Sequence, residues 1–60
     1  MLVVTKGQRY RAPGLTITVR RVARDLTWAD IHVETDLFEN TWIERQPLTH
    51  GRFPFEVEAL

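Results

Sequence analysis

Two histidines and eight carboxylates are the groups in this 60-residue chain that could hold a metal ion or move a proton, and there is neither cysteine nor serine beside them. His32 and His50 stand alone, without the Cys/His spacing that builds a metal site. Asp30 and Glu34 come nearest to a carboxylate pair. On an extended chain, however, they simply line one polar face, whereas acid–base work needs burial that drives two pKa values apart. No glycine-rich phosphate loop is present, and a chain this short has difficulty enclosing a deep pocket. The residue types therefore speak against an enzyme, and they call for no cofactor and no metal.

Binding chemistry is better represented. Trp28 and Trp42 each precede a residue that strand alternation would place inside, Ala29 and Ile43. On that parity both indoles point outward from adjacent strands, and Tyr10 could join them. With Arg45 they form a candidate protein-binding set, since exposed aromatics beside arginine suit a protein partner. The competing reading is that so small a core needs its large side chains, and that a one-residue bulge turns either Trp inward. Both readings stand at this level. A second candidate set is Arg9, Arg11, Arg20, Arg21 and Arg24, a stripe that would suit phosphate contacts and stacked bases if the first two strands are neighbours.

These groups must be positioned by strands. Leu15, Ile17 and Val19 alternate with Thr16, Thr18 and Arg20, and Ala29, Ile31 and Val33 alternate with Asp30, His32 and Glu34. Alternation of period two is the mark of a strand with one buried face, and the short charged break between the runs predicts a β-hairpin closed by Arg24 to Thr27. The expected register sets Val19 opposite Ile31 and Ile17 opposite Val33 inside, with Arg20 opposite Asp30 and Thr16 opposite Glu34 outside. The double arginine Arg20-Arg21 interrupts the alternation, and a β-bulge there would return Val22 to the core face. A helical rival exists, because Val19, Val22, Ala23 and Leu26 share a helix face. The β-branched run before them and the missing N-cap favour the strand.

Around the hairpin, Leu2 to Thr5 reads as a short first strand that Gln8 to Arg11 continues after a kink, with Tyr10 on one side and Arg9 and Arg11 on the other. Ala12-Pro13-Gly14 is a turn. Asp36 to Asn40 is the next, with Leu37 and Phe38 as apolar fillers. Thr41 to Gln46 is a fourth strand ended by Pro47, and Leu48 to Gly51 a single tight turn. Phe53, Phe55 and Val57 alternate with Pro54, Glu56 and Glu58 in a last strand. Phe38, Phe53 and Phe55 are expected in the core.

Sixty residues allow one domain, spanning 1–60, near the lower limit for independent folding. The net charge is zero, yet residues 1–24 carry +6 and residues 25–60 carry −6. Pairing of the two halves across a sheet accounts for this more simply than a polyanion-binding surface, because a neutral chain offers polyanions little long-range attraction. No apolar run approaches the roughly 20 residues of a membrane span. The lack of cysteine fits a reducing compartment, and the N-terminus, without a secretion signal, reads as that of a complete, cytoplasmic gene product.

Short strands at turn-marked intervals predict an all-β domain, a small five-stranded antiparallel barrel or sandwich. Gly7, Tyr10 and Arg11, then Val19 and Val22, then Trp42, Pro47 and Leu48 follow a pattern that resembles the small SH3-like β-barrels, and in particular the very short uncharacterised barrel proteins of bacteria and their phages. The resemblance covers most of the chain and implies an SH3-like barrel with a single tight turn before the last strand. It carries over no catalytic or ligand residues. The expected function is a non-enzymatic interaction module that binds a protein partner or itself as a homodimer, with phage or mobile-element origin suggested by the resemblance alone. The alternative is a nucleic-acid-binding barrel that uses the arginine set.

Overall fold

The computed structural model describes residues 3–37 and 39–60. The expected hairpin forms its centre. Strand β2 (Leu15–Val22) and strand β3 (Trp28–Thr35) pair antiparallel with Val19 opposite Ile31, Ile17 opposite Val33 and Thr16 opposite Glu34. The register shifts between Val19 and Arg21, so Arg21 rather than Arg20 lies opposite Asp30, and Val22 returns to the core side opposite Ala29. The bulge supplies the extra residue that two consecutive arginines demand. The turn that closes the hairpin is held by Asp25, whose Oδ1 accepts from the Thr27 amide at 3.2 Å and its hydroxyl at 2.7 Å. Leu26 takes a positive φ of 62° there.

Strand β1 (Arg9–Ala12) precedes the hairpin, β4 (Thr41–Pro47) follows it, and β5 (Glu58–Ala59) ends the sheet in the order β4-β3-β2-β1-β5. All pairings are antiparallel, and no helix forms among the described residues. This is the five-stranded all-β arrangement expected, with the sheet left open, so that β4 and β5 are its edges. The Pro13-Gly14 turn, with Gly14 at φ 73°, joins β1 to β2 as anticipated.

Two strand assignments change. Residues 3–5 form no strand; Val4 is instead buried and its amide donates to the Gly51 carbonyl at 2.7 Å. Leu2 lies outside the described residues. The final strand is confined to Glu58–Ala59, because Pro54 has no amide for a ladder and the chain bends at Pro54 and Phe55. The segments before β1 and between β4 and β5 fold over the core side of the sheet. There Val4 and Phe53 close a core made with Ala12, Ile17, Val19, Ala29, Ile31 and Val33. Of the other expected core residues, Phe55 is 42% exposed and Phe38 lies outside the described residues, while Leu37, the apolar filler of the Asp36–Asn40 turn, is 85% exposed.

The tight turn after β4 is a two-residue hairpin. Thr49 and Arg52 exchange both backbone hydrogen bonds, and His50 and Gly51 both have positive φ, 51° and 76°, as a type I′ turn requires. A Cβ at Gly51 would stand 3.0 Å from Val3 Cγ1 and 3.2 Å from Leu26 Cδ1, whereas one at Gly14 meets nothing within 4 Å. Both glycines carry a left-handed backbone that costs an L-residue roughly 1–2 kcal/mol. Gly51→Ala is therefore expected to destabilise by about 1 kcal/mol more than Gly14→Ala, the difference being the overpacking. Urea denaturation of the two variants side by side checks this.

Candidate binding surfaces

The hairpin between β3 and β4 decides where the aromatic side chains go. The Thr35 amide donates to the Asn40 carbonyl at 3.2 Å, and Glu34 lies opposite Thr41. Counting on from there places Trp42 opposite Val33, Glu44 opposite Ile31 and Gln46 opposite Ala29. Residues directly opposite in a sheet share a face, so Trp42 lies on the core side and Ile43 on the outer side, the reverse of the expected parity. The expectation took burial as the guide, but β4 is an edge strand whose faces are both largely wet, and turn length sets its register instead. Trp42 remains 39% exposed and Ile43 59% exposed.

Trp28 lies on the outer face, next to core-facing Ala29, so of the two readings left open for it the outward one holds. The Arg45 guanidinium sits over its ring at 3.8 Å from the centroid, and Arg21 stands at 5.4 Å. Asp30 binds both cations, Oδ1 accepting from Arg45 Nε and Oδ2 from Arg21 Nη2, each at 3.0 Å. The hydrogen bond from Arg45, with that from Arg21 beside it, holds the Asp30 carboxyl below its ordinary value of 3.8. A depressed carboxyl pKa stabilises the fold above the ordinary value, and that contribution disappears as pH falls through the lower folded value. Wild-type protein and Asp30→Asn are thus expected to differ in urea midpoint near neutrality and to converge as pH is taken well below 3.8.

The structure divides the protein-binding set. Trp28 and Arg45 touch, and Trp42 lies on the same edge strand as Arg45 but on the opposite face. Tyr10 does not join them. It lies opposite Ile17 on the core side, edge-on to Phe53 with ring centroids 5.4 Å apart. Phe53 stacks in turn on Phe55 at 5.2 Å. These rings, with Val3, Pro54 and Val57, line an open groove of about 920 Å³ whose polar margin includes Arg52 and Glu56. Sequence reasoning missed this groove because it treated Phe55 as core. The nearby Pro54, which bends the chain out of the sheet, was the available signal.

The arginine set does not gather into one free stripe. Arg11 is paired with Asp36 at 2.9 Å and Arg21 with Asp30, while Arg20 occupies the bulge and Arg24 the β2–β3 turn. Arg9 lies opposite Thr18 on β1. Ion pairs within 4 Å involve none of Arg9, Arg20 and Arg24 among the described residues. The two histidines are likewise separate, and the described residues contain no group of three or more His, Asp or Glu placed to hold a metal. No helix among them is long and apolar enough to cross a membrane. Comparison of the chain with protein-family models, with curated proteins and with solved structures found no match.

Proposed function

We propose that this chain is a small non-enzymatic protein-interaction domain whose binding surface is the β3–β4 end of its sheet. One observation carries the reading: among the described residues β4 pairs only with β3, and it presents exposed Ile43 on the face that carries the Trp28–Arg45 pair and half-exposed Trp42 on the other. Aromatic and arginine side chains at a protein surface are the types that dominate binding energy, and an unpaired strand offers main-chain hydrogen bonds to an incoming segment. The arginine-based nucleic-acid reading is weaker, because Arg11 and Arg21 are engaged with carboxylates. A cytoplasmic location and a phage or mobile-element origin belong to the same proposal; they rest on the absence of cysteine and on the resemblance of the chain to short phage barrels.

The test compares wild type, Arg45→Glu and Phe55→Ala in binding to the partner recovered by chemical cross-linking. Arg45→Glu is expected to weaken binding at least about tenfold, the scale of a residue worth 1.4 kcal/mol at an interface. Phe55→Ala, across the molecule in the groove, is expected to leave it unchanged. The reverse result would move the binding surface to the groove. Recovery of nucleic acid whose binding weakens steeply with salt would favour the arginine set.

A further inference from the structure

We propose that a second copy of this chain pairs with the free edge of β4, antiparallel and with Ile43 opposite Ile43, joining two five-stranded sheets into one of ten strands. This names the partner for the surface proposed above and rests on that reading. The argument begins with the two edges. β5 has two residues, Glu58 and Ala59, whereas β4 has seven. Only β4 is long enough to template another strand, and edges of that kind are the ones that recruit further chains.

Symmetry then restricts the register. Two identical strands side by side about a two-fold axis run antiparallel and keep each sheet face continuous, so opposite residues must share a face and the axis must pass midway between one residue and its own copy. Centring on Glu44 sets two carboxylates face to face, and centring on Arg45 sets two guanidinium groups face to face. Like charges directly opposite are destabilising. Centring on Trp42 leaves only Thr41 to Ile43 of the strand paired. Centring on Ile43 pairs Thr41 through Arg45. It sets isoleucine on isoleucine on the outer face, Thr41 beside Arg45, and Trp42 beside Glu44 on the other face.

That last pairing can repeat between copies a contact that each copy already makes within itself, since Trp42 Nε1 donates to Glu44 Oε1 at 3.0 Å. Pro47, which has no amide to give, falls beyond the paired stretch. The exposed Ile43 is covered in the process. The adjacent charges at Glu44 and Arg45, which guard the edge against other alignments, leave this one open.

The chain has no cysteine, so single-cysteine variants report the register cleanly. Cα atoms opposite each other in an antiparallel pair lie within disulfide reach. Under mild oxidation I43C is expected to form a covalent dimer readily, and E44C and R45C to do so much more slowly. Light scattering of the wild type across a concentration series is expected to show a monomer–dimer equilibrium that Ile43→Lys shifts to monomer, with an unchanged circular dichroism spectrum. A wild type that stays monomeric up to about 1 mM, the weak limit of specific association, would sink the proposal, as would faster cross-linking of E44C than of I43C. So would a monomer whose β4 amides become protected from exchange only when a different protein is added, which would assign the edge to that protein. If self-pairing fails while Arg45→Glu still weakens binding to a cross-linked partner, only the identity of the partner changes. If both fail, the β3–β4 surface itself is wrong.

Discussion

Ile31→Ala is expected to leave the domain largely unfolded under conditions where Ile43→Ala folds normally. Ile31 is 1% exposed, in the middle of β3, the strand flanked by both β2 and β4, and it lies opposite Val19 in the innermost layer of the core. Truncating a fully buried isoleucine costs about 2–5 kcal/mol, because the lost transfer energy is joined by that of a cavity its neighbours cannot fill. A domain of 60 residues has roughly 3–9 kcal/mol of stability in all, so this single change removes a large share of it. Ile43 has the same side chain on the adjacent strand, yet it projects from the outer face, and its truncation is expected to stay within about 0.5 kcal/mol. Equilibrium urea unfolding at dilutions that keep the chain monomeric measures both. Equal losses from the two variants would mean that the β3–β4 register is displaced by one residue.

That pair of isoleucines also shows what could be read from the sequence and what could not. Ile31 belongs to a strand buried on one face, and for such a strand alternation states the face directly, because a one-residue slip would put Ala29, Ile31 and Val33 into water. The same reasoning located the Arg20-Arg21 bulge, the only way to keep both Val19 and Val22 on the apolar side. On β4 the rule loses its force. Trp42 and Ile43 are both substantially exposed, so burial does not choose between them, and the choice passes to the Asp36–Asn40 turn, whose length sets the register. The candidate site inherits that division. That Trp28 and Arg45 sit on neighbouring strands was legible, but their contact was not, and neither was the choice between an inward and an outward Trp28; the placement of Trp42 on the opposite face and of Tyr10 beside Phe53 depended on turn geometry and on a chain segment that leaves the sheet. The last strand failed for a related reason. Phe53, Phe55 and Val57 alternate as a strand should, but Pro54 removes an amide in their midst, and the chain uses Phe53 as a plug instead.

Phe53→Ala is expected to be the most damaging aromatic substitution in the chain, at about 3–5 kcal/mol. Phe53 is among the buried residues of the core, and it lies in contact with Tyr10 and with Phe55. Neither contact comes from a strand ladder; within the segment between β4 and β5, Phe53 is the buried side chain, while Leu48 and Val57 pack only partly against the core and the Leu48–Thr27 and Val4–Gly51 hydrogen bonds help tie the segment down. Removing the ring frees that segment, exposes Ile17 and its neighbours to water, and removes the support that brings Glu58–Ala59 to β1. Phe55→Ala should cost far less, on the order of 1 kcal/mol, because its ring is partly wet and it forfeits chiefly one stacked pair. Backbone amide exchange distinguishes this mechanism from uniform loosening. In Phe53→Ala the amides of Leu60 and Val4, which bond to Arg9 and Gly51, should lose protection before those of β2 and β3, because the plug holds only the covering segments. If the β2–β3 amides exchange first, the hairpin depends on that plug, and Phe53 is part of the nucleus rather than its cover.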